Sequence, residues 1–217
     1  PSDEHRHRQR AHYLANVTMI DDAVGKVLES LEKKGYLDDC IIVFTSDHGD
    51  CLGDHGHSQK WTMYEQVTKV PMILWAPGKV PAAQKSDALI QAMDIVPWLL
   101  TQARANLPEG MEAVSIEPVF KNPDWPGRET VFCEQGRDNI LTDVEFMTMV
   151  RTKRWKLVHF LNEDFGQLFD LEKDPEEANN LWSSATHGAV RQELMDKLLL
   201  WRMQSQIRTQ NVFREHR

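Results

Sequence analysis

The chain has 217 residues, 41% hydrophobic and 27% charged. That composition excludes a disordered tail, a collagen-like fibre and a small disulfide-stapled scaffold. Its 25 Lys and Arg against 33 Asp and Glu leave a net charge of −8, which argues against a nucleic-acid partner. The two basic clusters, Arg6, Arg8 and Arg10 at the start and Arg202, Arg208, Arg214 and Arg217 at the end, read as solvated helix faces. No apolar run approaches the ~18 residues of a membrane span, so no membrane partner is expected. The first residue is Pro1 and no signal segment follows, so the chain reads as a soluble piece of something longer, with its compartment open between cytoplasm and periplasm. Cys40, Cys51 and Cys133 are widely spaced and imply no disulfide framework.

In chain order, Leu14, Val17, Ile20, Val24, Val27, Leu28 and Leu31 recur at steps of three or four and predict a helix over 11–34. Gly35 stands where a helix ends. Cys40-Ile-Ile-Val-Phe44 is an unbroken, β-branched run, predicted as a strand buried on both faces of a parallel sheet. Val70–Trp75 reads as a second such strand, closed by Ala76-Pro77-Gly78. Residues 88–104 read as a helix. The stretch 103–127, richer in Pro, Gly and Asn, suggests a boundary, giving units 1–105 and 106–217. Beyond it, Thr130–Cys133, Phe146–Val150, Trp155–Phe160 and Gln167–Asp170 are spaced like neighbouring antiparallel strands. Asp174-Pro-Glu-Glu177 reads as a helix start, and 187–207 as a final helix carrying Val190, Leu194, Leu198 and Trp201 at helical spacing. Trp98, Trp155, Trp182 and Trp201 are core candidates, while His5, His7 and His12 belong to an exposed start.

The segment after the first strand is the richest in chemistry: Thr45-Ser-Asp-His-Gly-Asp50-Cys-Leu-Gly-Asp-His55-Gly-His-Ser-Gln-Lys60. In open α/β sheets ligands bind beyond the carboxyl ends of strands, where this segment falls. Asp47, Asp50 and Asp54 offer hard oxygen donors, and His48, His55 and His57 offer nitrogen. Gly49, Gly53 and Gly56 allow tight turns, and Lys60 could hold an anion. A polar, glycine-rich surface loop is the plainer alternative. The spacing fits neither an EF-hand nor a zinc finger, and the chain has no G-x-S-x-G elbow and no phosphate-binding P-loop.

These residues resemble the second metal-binding motif of the sulfatases, within the alkaline phosphatase superfamily. Phe44-Thr-Ser-Asp-His-Gly-Asp50 with Gly53-Asp-His-Gly56 looks like the branch that holds bacterial sulfatases and phosphonate monoester hydrolases. Tyr13–Gly35, Tyr64-Glu65, Val70-Pro71-Met72, Pro77-Gly78 and Asp94-Ile-Val-Pro-Trp-Leu-Leu100 continue the likeness. So do Val150-Arg-Thr-Lys-Arg-Trp-Lys156-Leu, Leu168-Phe-Asp-Leu-Glu-Lys-Asp-Pro175 and Asn180-Leu181. The resemblance implies an α/β fold. The chain would be the C-terminal part of an alkaline-phosphatase-like sandwich with a mostly parallel sheet. A small antiparallel sheet subdomain with a terminal helix would complete it.

The resemblance further implies sulfate ester hydrolysis on a small anionic substrate, with Asp47 and His48 as metal ligands. Lys60 would be the catalytic and substrate-binding cation, with His57 as a second substrate contact. Many family members carry Asn where His48 stands, paired with Ca²⁺; His opens the site to Mn²⁺. Asp50, Asp54 and His55 would orient the loop. The nucleophile is implied to be a formylglycine made from Cys in C-x-[PA]-x-R, in an N-terminal half of the catalytic domain that precedes these residues. Cys133-Glu-Gln-Gly-Arg137 matches that motif only in part, because Gln135 replaces Pro or Ala and it follows the metal motif. The isolated chain is therefore expected to be inactive. A phosphonate or phosphate ester hydrolase with the same apparatus, or a non-catalytic metal-binding module, are the alternatives.

Overall fold

A computed structural model of the chain describes residues 2–137 and 144–215, with side chains as far as Arg208. The side chain of Arg214 and the whole of Arg217 lie outside the described part. The described chain forms two compact units, Pro1–Gln84 and Lys85–Arg217.

In the first unit, helix α1 runs Asp3–Lys33. It starts eight residues earlier than its apolar stripe suggests, because Ser2 Oγ accepts from the His5 amide at 3.3 Å. Asp3 and Glu4 then suit the positive end of the helix. It ends as expected at Gly35, whose φ of +71° avoids a Cβ clash. The Tyr36 amide reaches Leu31 O and the Gly35 amide reaches Glu32 O, each at 2.9 Å, a Schellman closure. None of the residues in α1 is buried.

Strands β1 (Ile42–Thr45) and β2 (Met72–Trp75) pair with each other. The pairing is antiparallel, Ile42 opposite Trp75 and Thr45 opposite Met72, not the parallel, doubly buried arrangement their composition predicts. Between them lie a 3₁₀ turn at Asp54–Gly56 and the short helix α2 (Glu65–Thr68), with no long helix. A parallel pair needs a longer crossover element packed on the sheet. Phe44, Ile73 and Trp75 stay exposed, so the apolar run does not mark burial within this chain.

In the second unit, the expected helix over 88–104 shortens to α3, Ile95–Gln102. Leu89 instead bridges Gly127, and Gln91 and Asp94 form a capping box ahead of the helix. Asp94 is fully buried. It accepts from the Gln91 and Val114 amides at 2.8 Å each, and from Arg128 Nε at 2.6 Å. Trp98 of α3 meets Phe120 edge-on. Phe120 sits on α4 (Pro118–Lys121), a short helix inside the stretch that composition marked as a boundary.

Strands β3 (Val131–Gly136), β4 (Phe146–Arg151), β5 (Trp155–Phe160) and β6 (Gly166–Asp170) form the expected antiparallel meander, in sequence order. Helix α5 (Gly188–Glu215) packs on it. Val150, Leu157 and Leu168 from the sheet meet Leu194 and Leu198 from the helix, and Phe132 stacks on Trp201 with centroids 4.5 Å apart. Trp98 is buried, while Trp155, Trp182 and Trp201 pack against this core, as the sequence suggested.

No helix starts at Asp174. Its carboxylate accepts from the Ala178 and Asn179 amides at 3.1 and 2.8 Å, a local turn that competes with helix propagation. Glu177 follows at φ +53° with its side chain turned inward.

Candidate metal and anion site

The loop leaves the carboxyl end of β1 at Thr45. Ser46 Oγ donates to His48 O at 2.8 Å and to Asp47 Oδ1 at 3.3 Å. The His48 amide donates to Asp47 Oδ1 at 2.9 Å. These contacts fix the two candidate ligands against each other. The His48 amide, and then the His48 ring, hold the Asp47 carboxyl below its ordinary value, so Asp47 is an anion at neutral pH.

His48 Nδ1 lies 2.8 Å from Gly49 O. A carbonyl can only accept, so Nδ1 carries a proton at this contact and Nε2 is the ring nitrogen turned towards Asp47. That nitrogen lies 3.4 Å from Asp47 Oδ2. The spacing is one that two donors of a single ion adopt at bond lengths of about 2.0–2.4 Å. Asp47 and His48 thus fit a divalent ion as part of its coordination. Among the described residues no group of three or more His, Cys, Asp or Glu could hold a metal.

The rest of the loop is built to hold this pair in place. Asp50 Oδ1 accepts from the Leu52 and Gln59 amides at 2.8 and 3.0 Å. The Cys51 amide donates to Gln59 O at 3.1 Å and the Gly53 amide to His57 O at 2.8 Å. Gly49 donates to Val67 O at 2.8 Å, and a Cβ at Gly49 would stand 1.9 Å from Gln66 O. Glycine is required there by close backbone approach.

His55, at φ +53°, stacks flat on Tyr64 with centroids 3.8 Å apart, and His57 is tilted to the same ring at 6.1 Å. Both imidazoles are thereby drawn towards Tyr64. Lys60 makes no ion pair among the described residues, and its Nζ lies 5.6 Å from the Trp61 ring centroid. That leaves its charge available to an anion.

Two functions escaped the sequence. Tyr64 is the platform for both histidines. Arg10 is no mere solvated residue: it donates to Leu52 O at 3.3 Å and to Asp54 Oδ1 at 2.5 Å, tying α1 to the loop. With Asp3, Arg6, His7, Gly53 and Asp54 it lines a cleft of about 290 Å³. Nothing local signals a contact between residues 44 positions apart.

Neither Cys133 nor Cys51 has the surroundings of a reactive thiol. Burial pushes the Cys133 thiol up, away from the reactive thiolate. Cys51 is fully buried, with Sγ 3.4 Å from Thr62 Oγ1.

The chain is similar to known proteins in sequence and in fold. Residues 53–204 match the family described as N-sulphoglucosamine sulphohydrolase, C-terminal. The chain is 34% identical to an N-acetylglucosamine-6-O-sulfatase of Bacteroides thetaiotaomicron over 86% of its own length and 34% of that protein's. It superimposes with a TM-score of 0.81 and 33% identity on a protein solved in complex with its substrate D-glucosamine-2-N,6-O-disulfate, covering 89% of this chain and 40% of that one. It matches a phosphonate monoester hydrolase from Silicibacter pomeroyi with a TM-score of 0.84 and 28% identity, over 94% and 43% of the two chains. The chain therefore spans well under half the length of these relatives.

Proposed function

The chain belongs to the sulfatase family, and from that premise we propose that it supplies part of the active centre of an enzyme that hydrolyses sulfate esters. The observation that carries the reading is the Asp47–His48 pair at the end of β1, two converging donors 3.4 Å apart on a loop fixed around them. Asp47 and His48 would hold a divalent ion, Ca²⁺ or Mn²⁺, as part of its coordination. When bound, that ion neutralises charge on the ester oxygens and lowers the pKa of the attacking group. Lys60 holds the sulfate oxygens as a point charge, and His57 donates to the same group. Asp50, Gly49 and Tyr64 keep the loop in register for these contacts. The nucleophile, a formylglycine, lies in an N-terminal portion of the catalytic domain outside these 217 residues.

Phosphate or phosphonate ester hydrolysis is the second reading. His48 favours it modestly, because an imidazole nitrogen suits a transition ion better than Ca²⁺.

Purified chain incubated with an aryl sulfate, an aryl phosphate and Ca²⁺ or Mn²⁺ should show no turnover. Joined to the N-terminal portion of a sulfatase domain, it should cleave the sulfate ester. Asp47→Ala and Lys60→Ala should each then lower kcat/KM by about 10²-fold or more. Cleavage that neither substitution alters, or turnover by the chain alone, overturns the proposal. Preference for the phosphate ester selects the second reading.

A further inference from the structure

The second unit carries a cavity of about 350 Å³ that the proposed reaction does not use. Three stretches of chain meet around it. The β4–β5 turn supplies Lys153, Arg154 and Trp155, and the segment ahead of β3 supplies Arg128 and Glu129. Helix α5 supplies Val190, Glu193, Leu194 and Lys197. Those four are three or four residues apart in turn, so they share one helix face. The volume is in the range of a site for one small molecule.

Its donors are held in place before any ligand arrives. The Trp155 amide donates to Thr152 Oγ1 at 2.9 Å and the Thr152 amide to Trp155 O at 2.8 Å, which closes the β4–β5 turn. At the tip, Lys153 is exposed and makes no ion pair among the described residues. Arg154 gives Nε and Nη2 to Asp170, and Arg128 gives the same two nitrogens to Asp94. Both carboxylates are buried, so each guanidinium is gripped from behind. Neither Arg uses Nη1 in a hydrogen bond among the described residues. The acceptors are Glu129 and Glu193, which share a single ammonium, Lys197, with Glu193 at 3.8 Å. One ammonium cannot occupy all four of their oxygens. Trp155, Val190 and Leu194 add an apolar wall.

We propose that this cavity binds one hexose unit carrying a tetrahedral oxyanion, a sulfate or a phosphate. The oxyanion sits on Lys153 and Arg154, where the unpaired ammonium and the open guanidinium nitrogen lie on one turn. Ring hydroxyls donate to Glu129 and Glu193, and the C–H face of the ring lies on Trp155 and Val190. The mixed lining selects this class. A bare oxyanion makes no use of the apolar wall and is repelled by the two carboxylates. A neutral sugar leaves Lys153 without a partner. An apolar ligand strips water from charged groups and returns nothing to them. The proposal is independent of the Asp47–His48 site, since every lining residue belongs to the second unit.

The test is calorimetric titration of the full chain carrying Lys60→Ala, so that the anion group of the first unit does not contribute. The probes are glucose 6-sulfate and glucose 6-phosphate, with glucose and inorganic sulfate for comparison. A 1:1 event with at least one of the two esters is expected, about tenfold tighter than with glucose or with sulfate. The tighter ester identifies the oxyanion. Lys153→Ala should weaken binding about tenfold and Glu193→Gln about threefold. Both side chains are exposed, so the urea midpoint should not move. Lys85→Ala, an exposed lysine of the same unit outside the lining, should leave binding intact. No saturable binding of either ester overturns the proposal. So does binding that neither Lys153→Ala nor Glu193→Gln alters, or inorganic sulfate bound as tightly as the esters. Binding here by a chain that cleaves no ester once joined to an N-terminal portion upholds this site and removes only the proposed activity.

Discussion

Lys156 Nζ and Glu177 Oε1 lie 2.8 Å apart, with both side chains sealed from solvent. Lys156 stands on β5, between Trp155 and Leu157, and Glu177 reaches it from the turn after β6. Stripping water from two charges is costly, and their attraction and remaining hydrogen bonds must offset it. The strained backbone of Glu177 follows from this demand, because φ +53° aims its carboxylate inward.

Breaking that pair leaves an uncompensated buried charge. Lys156→Met should destabilise the second unit by about 3–5 kcal/mol in denaturant unfolding. Adding Glu177→Leu should recover much of the loss. A Lys156→Met variant within about 0.5 kcal/mol of the wild type would show that the pair contributes little.

Asp170 gives the fold a pH dependence. Arg154 donates to both of its oxygens, at 3.0 and 2.8 Å, and holds its carboxyl below the ordinary value. A depressed folded-state pKa means stability that is present above the unfolded value and is lost as pH falls through the folded one. Arg154 is 40% exposed, so solvent screening limits the contribution to about 1 kcal/mol. Urea titrations from pH 7 down to pH 2 should show a decline that Asp170→Asn flattens. An identical decline in the variant would assign the acid sensitivity elsewhere.

Gly49→Ala tests the loop's close approach to the α2 backbone. Its Cβ cannot coexist with Gln66 O at 1.9 Å, and that oxygen is main chain, which cannot swing aside as a side chain would. The loop must shift, at a cost of about 1–3 kcal/mol. It should also lose Mn²⁺ binding measured by calorimetry. Unchanged binding would mean that the Asp47–His48 geometry does not depend on this contact.

Tyr64→Ala removes the ring on which His55 stacks. It should cost about 1 kcal/mol and free the 51–59 loop. Tyr64→Phe, which keeps the face, should cost less. Faster amide hydrogen exchange at Leu52–His57 in the Ala variant alone is the expected readout. Equal exchange in both variants would assign the loop's order to Asp50 and the backbone bonds.

How much of this was legible follows from which forces are local. The Schellman closure at Gly35 and the β3–β6 meander were readable, because turn chemistry and alternation are properties of neighbouring residues. That Asp47 and His48 stand side by side just past the end of β1 was readable for the same reason: adjacent residues after a strand have little freedom to part. The β1–β2 pairing was not, since Cys40–Phe44 has the composition of a doubly buried strand. Composition cannot say which surfaces the covering atoms come from. Arg10 reaching Asp54, and Glu177 turning in towards Lys156, are long-range electrostatic contacts with no local pattern. The helix that Asp174-Pro175 suggests is absent because the Asp174 carboxylate closes a turn on the Ala178 and Asn179 amides instead.

The central claim is that Asp47 and His48 are one part of a divalent ion's coordination. Calorimetric titration of Mn²⁺ and of Ca²⁺ into the chain tests it most directly. With two ligands supplied here, binding should be weak, with Kd of about 10⁻⁴ M or higher. Asp47→Ala and His48→Ala should each abolish it, while Asp54→Ala should leave it in place. Tight binding that survives Asp47→Ala would contradict the account.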